Sequence, residues 1–173
     1  SAALLTNDPD SMHKYIKVVV ENSRSFEDTL KVQLTKAEYL VSNLLLDEFF
    51  KEIFGVLKFY NIRLTDKGST LKMVLELIRT KRAFRGKTKQ DILDGPEVTD
   101  ELKILSLAFM VYFETAAFFR FDNNLWVQTI LLKIQRSLAY GNSTHSPSAF
   151  ASWAMMQVVA LNDIDEGRKY CEL

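Results

Sequence analysis

Apolar residues recur with the period of an α-helix along almost the whole of this sequence. In the clearest run, apolar side chains occupy positions i, i+3, i+4, i+7 and i+11, which lie on one side of a helix. The members of this run are Val127, Ile130, Leu131, Ile134 and Leu138. The run predicts a helix from about 122 to 140, and similar spacing elsewhere predicts an all-α fold.

Residues that start or stop helices divide the rest of the chain into further predicted helices. The residues suited to cap a helix start are Ser25, Ser69, Thr99 and Ser146. Gly86 and Gly141 are suited to end a helix, because glycine adopts a left-handed backbone without strain, and Asn162 is expected to end another. The predicted helices span 15–22, 25–46 as one helix or two, 47–60, 69–84, 99–119, 146–161 and 163–173. Since the links are short, consecutive helices are expected to be antiparallel neighbours.

Length and composition indicate one domain. The chain has 173 residues, 47% of them hydrophobic, which is enough to bury a sizeable core, and we expect residues 1–173 to form a single helical domain. Lysine plus arginine and aspartate plus glutamate both number 22, so no overall charge attracts the protein to nucleic acid or to an anionic membrane. The single cysteine, Cys171, excludes an internal disulfide and suits a reducing compartment.

The most apolar segment is Leu105–Phe113, which is shorter than the roughly 18 residues that a membrane span needs. Lys103 precedes it, and Glu114 lies in the helix that continues it. We therefore expect a soluble, cytoplasmic protein in which the 99–119 helix forms the centre of the core. The chain opens on Ser1 without a signal-peptide pattern, and we expect it to be a fragment of a larger protein.

The tripeptide Gly86-Lys87-Thr88 matches the end of a phosphate-binding Walker loop. Such a loop needs its first glycine five residues before the second, and it must follow a strand. Here Lys81 stands at the position of the first glycine, and the residues before it predict a helix. We therefore interpret Gly86 as a helix stop and expect no nucleotide to bind there.

A basic cluster surrounds the same tripeptide and raises the question of nucleic-acid binding. Its members are Arg79, Lys81, Arg82, Arg85, Lys87 and Lys89. These cations could neutralise phosphates, but the cluster lacks a series of aromatic residues interleaved with the charges, on which bases would stack. Acidic residues follow at once, and they are Asp91, Asp94, Glu97, Asp100 and Glu101. We expect the chain to fold back there and set carboxylates against the cations.

Other residues that could carry chemistry do not assemble a metal or catalytic site. His13 and His145 have no cysteine or second histidine at metal-ligand spacing, and His145 is expected in a turn, as a solvated residue or a local hydrogen-bond partner. The segment 162–167 lacks carboxylates at the positions that a calcium loop requires. Cys171 has no histidine in its own segment, so we expect a buried thiol that faces the core.

Aromatic residues suggest one further kind of site. Trp126, Tyr140 and Trp153 could line a ligand pocket, although aromatic residues at helical spacing usually belong to a core. The sequence as a whole predicts no catalytic residue, no cofactor and no metal.

Two longer segments carry short motifs in a characteristic order. The first contains Phe84-Arg85-Gly86, Ile92-Leu93, Pro96 and Asp100, and the second contains Tyr140-Gly141-Asn142-Ser143 followed by Ser146 to Phe150. In this order and spacing, residues 54–173 resemble the helical-repeat region of large bacterial signalling proteins. Members of that family combine a serine/threonine kinase-like domain, an AAA-type ATPase and this helical region, often with a GAF domain and a histidine kinase.

The resemblance implies antiparallel helix pairs stacked as a tetratricopeptide-like superhelix, although the chain lacks the regular period of about 34 residues. It also implies a non-catalytic segment that contacts protein partners or neighbouring domains and relays an input between ATPase and kinase modules. The candidate residues for partner binding are Arg79, Lys81, Arg82 and Arg85. Two alternatives stay open: a small-molecule sensor bundle that uses the three aromatic residues, and a nucleic-acid adaptor that uses the basic cluster.

Overall fold

The computed structural model describes residues 9–171, and the regular secondary structure of these residues is helical. The helices are α1 (Pro9–Asn22), α2 (Phe26–Ser42), α3 (Leu46–Phe59), α4 (Thr70–Phe84), α5 (Lys89–Leu93), α6 (Glu101–Phe119), α7 (Asn123–Tyr140), α8 (Ser146–Leu161) and α9 (Ile164–Cys171). Within the described part of the chain, extended backbone pairs in an isolated parallel bridge between Glu97 and Asn142. The prediction of an all-α fold is confirmed.

Several predicted helix starts are confirmed by the side chains that cap them. The Ser25 hydroxyl accepts a hydrogen bond from Asp28 N at 3.3 Å, and Asp28 Oδ2 accepts one from Ser25 N at 3.0 Å, which forms a capping box at the start of α2. Ser69 caps α4, and Asn162 ends α8 in the left-handed conformation with φ 53°. Because α2 continues without a break to Ser42, the segment 25–46 contains one helix and not two.

Two predicted helix starts are wrong by one residue. Asp100 caps α6 in place of Thr99, because its Oδ1 accepts hydrogen bonds from Leu102 N at 3.0 Å and from Lys103 N at 3.3 Å. Ser146 is the first residue of α8 and not the residue before it.

A short helix that the sequence did not predict, α5, follows Gly86. Thr88 Oγ1 accepts from Asp91 N at 3.1 Å and Asp91 Oδ2 accepts from Thr88 N at 2.7 Å, so these residues form a second capping box. The hydrogen bonds from Thr88 hold the pKa of Asp91 below its usual value. Gly86-Lys87-Thr88 therefore joins two helices, and α4 stands where a Walker loop requires a strand.

Helices α6 and α7 lie at the centre of the fold. α6 packs against α2, α3 and α7, whereas α7 packs against α4, α6 and α8. Phe113 of α6 meets the rings of Phe49 and Phe50 of α3 with centroid distances of 6.1 and 5.3 Å. Most of the buried apolar residues belong to one cluster that extends from Ile16 in α1 to Tyr170 in α9. The apolar 99–119 segment is thus central, and α7 shares that position.

Among the described helices, α6 is long and apolar enough to cross a membrane by length and composition. The core helix of a soluble protein meets the same two criteria. In this structure Leu107, Phe109 and Phe113 of α6 have no exposed surface. The packing of α6 is that of a core helix and is compatible with a soluble protein.

Candidate interaction face on α4

The inward side of α4 is held against α7 by apolar and polar contacts. Gln135 Nε2 of α7 donates to Thr80 Oγ1 at 2.9 Å and to Glu76 O at 3.2 Å, and Gln128 Nε2 donates to Ser69 O at 2.8 Å. The partly buried apolar residues on this side are Met73, Leu77 and Phe84. Because these bonds advance in the same direction along both helices, α4 lies parallel to α7. They also fix the rotation of α4 about its own axis.

The opposite side of α4 is apolar and exposed. Leu71, Val74, Leu75 and Ile78 are 72%, 43%, 46% and 48% exposed. They occupy positions i, i+3, i+4 and i+7, so they form one stripe about 10 Å long, which we call the outer face of α4. Amphipathic surface helices normally turn such a stripe toward the core, and contiguous exposed apolar surface marks sites of interaction.

The same exposed surface becomes basic toward the C-terminal end of α4. Lys81 and Arg82 follow Ile78 by three and four residues, and Arg85 follows it by seven, so all three lie next to the outer face in succession. We call these three exposed cations the basic end of α4. Arg79 lies apart from them, because it pairs with Glu76 inside the same helix.

Several of the acidic residues that follow the basic cluster have roles besides the predicted pairing. Asp91 completes the capping box of α5, Asp100 caps α6, and Glu101 pairs with Lys31 of α2 at 2.6 Å. The predicted pairing is present in part, because Lys87 interacts electrostatically with Asp91.

A second exposed apolar stripe lies near the end of α8. Met155, Val158 and Val159 are 43%, 40% and 70% exposed, and Ile164 at the start of α9 is 58% exposed. Other apolar side chains are exposed elsewhere in the described part of the molecule, for example Phe118, Phe119 and Phe121 at the end of α6, but α4 combines a full helical stripe with adjacent cations.

Several of the motif residues that carry the family resemblance meet at the turn between α7 and α8. The Asn142 side-chain amide donates to the carbonyl oxygens of Ile92 and Leu93, both at 3.0 Å. In the main chain, Asn142 N donates to Pro96 O and Val98 N donates to Asn142 O, both at 2.8 Å. These motif residues therefore bind the α5–α6 loop to the core, which is a structural task.

A buried charged network joins α6, α7 and α8. Lys133 of α7, which is 1% exposed, forms an ion pair with Glu114 of α6 and donates to Ser152 Oγ at 3.1 Å and to Ser148 Oγ at 3.2 Å, both in α8. Ser152 Oγ lies 2.7 Å from Glu114 Oε1. Burial lowers the pKa of Lys133, and the charge of Glu114 opposes that shift. The network links α6, α7 and α8 inside the core.

Sequence reasoning did not single out this network, although one signal was present. Glu114 lies inside an otherwise apolar helix, and Lys133 lies directly before Ile134 in the most regular apolar run of the chain. Ionised side chains are almost never fully buried without a partner, so two such charges on neighbouring core helices indicate an ion pair.

The three aromatic residues predicted for a ligand pocket lie in separate environments. Trp126 and Tyr140 are at opposite ends of α7, about 21 Å apart along its axis. Trp126 packs on Phe118 with a centroid distance of 5.9 Å, whereas Trp153 stacks on Phe84 at 5.3 Å. Tyr140 lines a small polar cavity of about 110 Å³ beside Asn142. Trp153 and Tyr140 therefore face different surroundings, and Trp126 is distant from Tyr140.

The predictions for Cys171 and His145 are corrected by their surroundings. Cys171 is exposed, because α9 turns Gly167 and Tyr170 inward instead, so the expected buried thiol is wrong. His145 lies in the predicted turn, where its backbone N donates to Ser143 Oγ at 3.2 Å, but its ring is half-buried and not freely solvated. Burial together with the nearby charge of Lys133 lowers its pKa.

Some predicted features lie outside the described residues, namely segments 1–8 and 172–173 and the side chain of His13. Among the residues that are described, no three His, Cys, Asp or Glu side chains are grouped as metal ligands would be.

Compared with known proteins, the chain matches no family model, no curated protein and no solved structure.

Proposed function

We propose that this chain is a non-catalytic interaction and regulatory segment of a multidomain bacterial signal-transduction kinase. In that role, antiparallel helix pairs stacked in a tetratricopeptide-like manner relay an input between ATPase and kinase modules of the same polypeptide. The motif order that resembles the helical-repeat region of such proteins supports the identity of the parent protein. Chemistry would take place in the neighbouring modules.

The observation that carries the proposal is the exposed outer face of α4. Hydrogen bonds from Gln128 and Gln135 hold α4 with Leu71, Val74, Leu75 and Ile78 toward solvent. These four aliphatic side chains stay in contact with water unless a partner packs against them. Each Å² of apolar surface that a partner covers favours binding by about 25 cal/mol. An exposed apolar face of this kind suits a segment that binds a protein partner or a neighbouring domain.

The relay role is tested in the full-length parent protein by comparing two valine-to-glutamate variants. Val74→Glu places a charge in the outer face, where it would disrupt contact with a neighbouring module, whereas Val18→Glu places the same charge on exposed surface of α1. The two valines are 43% and 50% exposed, so both substitutions leave the core intact. We expect Val74→Glu to change autophosphorylation of the kinase module and Val18→Glu to leave it unchanged.

Thermal unfolding of both variants serves as the control for folding. Equal effects of the two variants on autophosphorylation would contradict the relay role. A reading frame around this segment that encodes no ATPase or kinase module would contradict the proposed parent. Turnover of ATP by the purified segment would contradict its non-catalytic role.

A further inference from the structure

The exposed surface of α4 has two halves whose chemistry together restricts what can bind there. The half nearer the N-terminus is the outer face, which is wholly aliphatic, and the other half is the basic end. Arg82 and Arg85 form no ion pair or side-chain hydrogen bond with any described residue, and Lys81 borders a cleft that Asp163 and Glu166 also line. Two guanidinium groups are therefore available to bind carboxylates of a partner.

A binding partner must offer apolar side chains to the outer face and carboxylates to the basic end, and it must do so within the width of one helix. An α-helix is about 10–12 Å wide with its side chains, so it can lie along α4 alone and place apolar residues at i, i+3, i+4 and i+7 over the outer face. Carboxylates at one end of that helix would then reach Arg82 and Arg85. Acidic residues are most favourable in the first turn of a helix, which sets the N-terminus of the partner over the C-terminal half of α4.

Other occupants match this surface less well. In a symmetric pair of two copies through antiparallel α4 helices, the basic end would face Thr70 and Lys72, which offer no carboxylate. An anionic membrane on the basic end would also meet carboxylates, because Asp163 and Glu166 line the same cleft as Lys81. Nucleic acid would leave the aliphatic outer face without a partner.

We propose that the outer face and the basic end of α4 bind an amphipathic helix with an acidic N-terminal turn, aligned antiparallel to α4. The proposal rests on the proposed function and specifies the chemical class of the partner. It concerns binding by this segment, and it is measured without the kinase or ATPase modules.

The experiment uses two labelled synthetic helical peptides and fluorescence anisotropy. Both peptides carry leucines at i, i+3, i+4 and i+7, and their N-terminal turn contains glutamates in one and lysines in the other. We expect the glutamate peptide to bind at least tenfold more tightly than the lysine peptide to the unaltered chain. Val74→Glu should weaken the glutamate peptide at least tenfold, whereas the matched surface variant Val18→Glu should not change its affinity.

Charge reversal tests the basic end separately from the outer face. The double variant Arg82→Glu/Arg85→Glu should lose roughly fivefold or more in affinity for the glutamate peptide and should gain affinity for the lysine peptide. Circular dichroism of each variant checks that the helices are intact. This exchange of preference is expected only if the two arginines contact the acidic turn directly.

Several results would overturn the proposal. With the peptides, these are equal binding of both, no binding of either, or binding that Val74→Glu does not affect. The other results are tighter binding to phosphatidylserine vesicles or to a DNA duplex, and dimerisation of the chain that Val74→Glu abolishes. If the glutamate peptide binds as expected while Val74→Glu leaves kinase output unchanged in the parent protein, the partner class stands and the relay function fails. If Val74→Glu changes kinase output but the glutamate peptide does not bind preferentially, the relay function stands and the acidic helix is rejected as the partner.

Discussion

Gly141 is the residue whose backbone position restricts substitution most clearly. Its φ is 106°, with ψ −166°, a region that side-chain-bearing residues rarely adopt, and a Cβ atom there would lie 2.1 Å from Pro96 O. The sequence predicts a left-handed helix-ending glycine, but this ψ lies outside that conformation. The extended form lets Asn142 N reach Pro96 O at 2.8 Å.

We predict that Gly141→Ala lowers the free energy of unfolding by more than about 2 kcal/mol, because backbone strain and the clash with Pro96 add together. Gly55→Ala is the matched control. Gly55 lies in α3, where an added Cβ would meet no atom within 4 Å, so alanine should stabilise the protein by about 0.5–1 kcal/mol. Urea denaturation of the two variants measures both effects, and loss of stability of similar size in both would refute this reading of Gly141.

Among the elements, α6, α7 and α8 are joined by the buried pair of Glu114 and Lys133. Removal of one member of a buried ion pair leaves the other charge without compensation, whereas replacement of both by apolar residues is often close to neutral. We predict that Lys133→Met destabilises the protein by about 3–5 kcal/mol. The double variant Glu114→Leu/Lys133→Met should be more stable than Lys133→Met alone.

The control for this prediction is the exposed pair of Lys31 and Glu101, whose side chains are 68% and 66% exposed. Lys31→Met should change the free energy of unfolding by about 1 kcal/mol or less. A double-mutant cycle from chemical denaturation gives the coupling energy of the buried pair. Additive effects of Glu114→Leu and Lys133→Met would show that the two charges do not depend on each other.

The helices themselves were predictable because apolar spacing and capping residues are local properties of the chain. Ser25, Ser69 and Asn162 mark helix ends by chemistry that acts within a few residues, and the structure places the ends there. Helix α5 was missed because five residues are too few to show a helical period. Its capping pair, Thr88 and Asp91, was the available signal.

The candidate site was only half predictable, for a different physical reason. The cations of its basic end are visible in the sequence, but the exposure of Leu75 and Ile78 is not, because an apolar stripe ordinarily turns inward. Long-range hydrogen bonds from Gln128 and Gln135 determine the rotation of α4, and no local pattern encodes them. The surroundings of Cys171 and His145 depend in the same way on distant packing.

At the scale of the whole molecule, one cluster of buried residues reaches from Ile16 in α1 to Tyr170 in α9. α7 contributes to this cluster while it packs against α4, α6 and α8 at once. A domain that shares one core usually unfolds in a single cooperative transition. The sequence contains two tryptophans, and they report on different places: Trp126 beside Phe118 at the end of α6, and Trp153 between Phe84 and Tyr170.

We predict that the two single-tryptophan variants, Trp126→Phe and Trp153→Phe, each lose tryptophan fluorescence signal and far-ultraviolet circular dichroism at the same denaturant concentration. Each variant is compared with itself, so a change in stability caused by the substitution does not affect the outcome. Coincident curves in both variants are expected if α4, α8 and α9 unfold together with the α6–α7 centre. If the fluorescence of Trp153 changed at lower denaturant than the circular dichroism, the α8–α9 hairpin would be a separate, less stable unit.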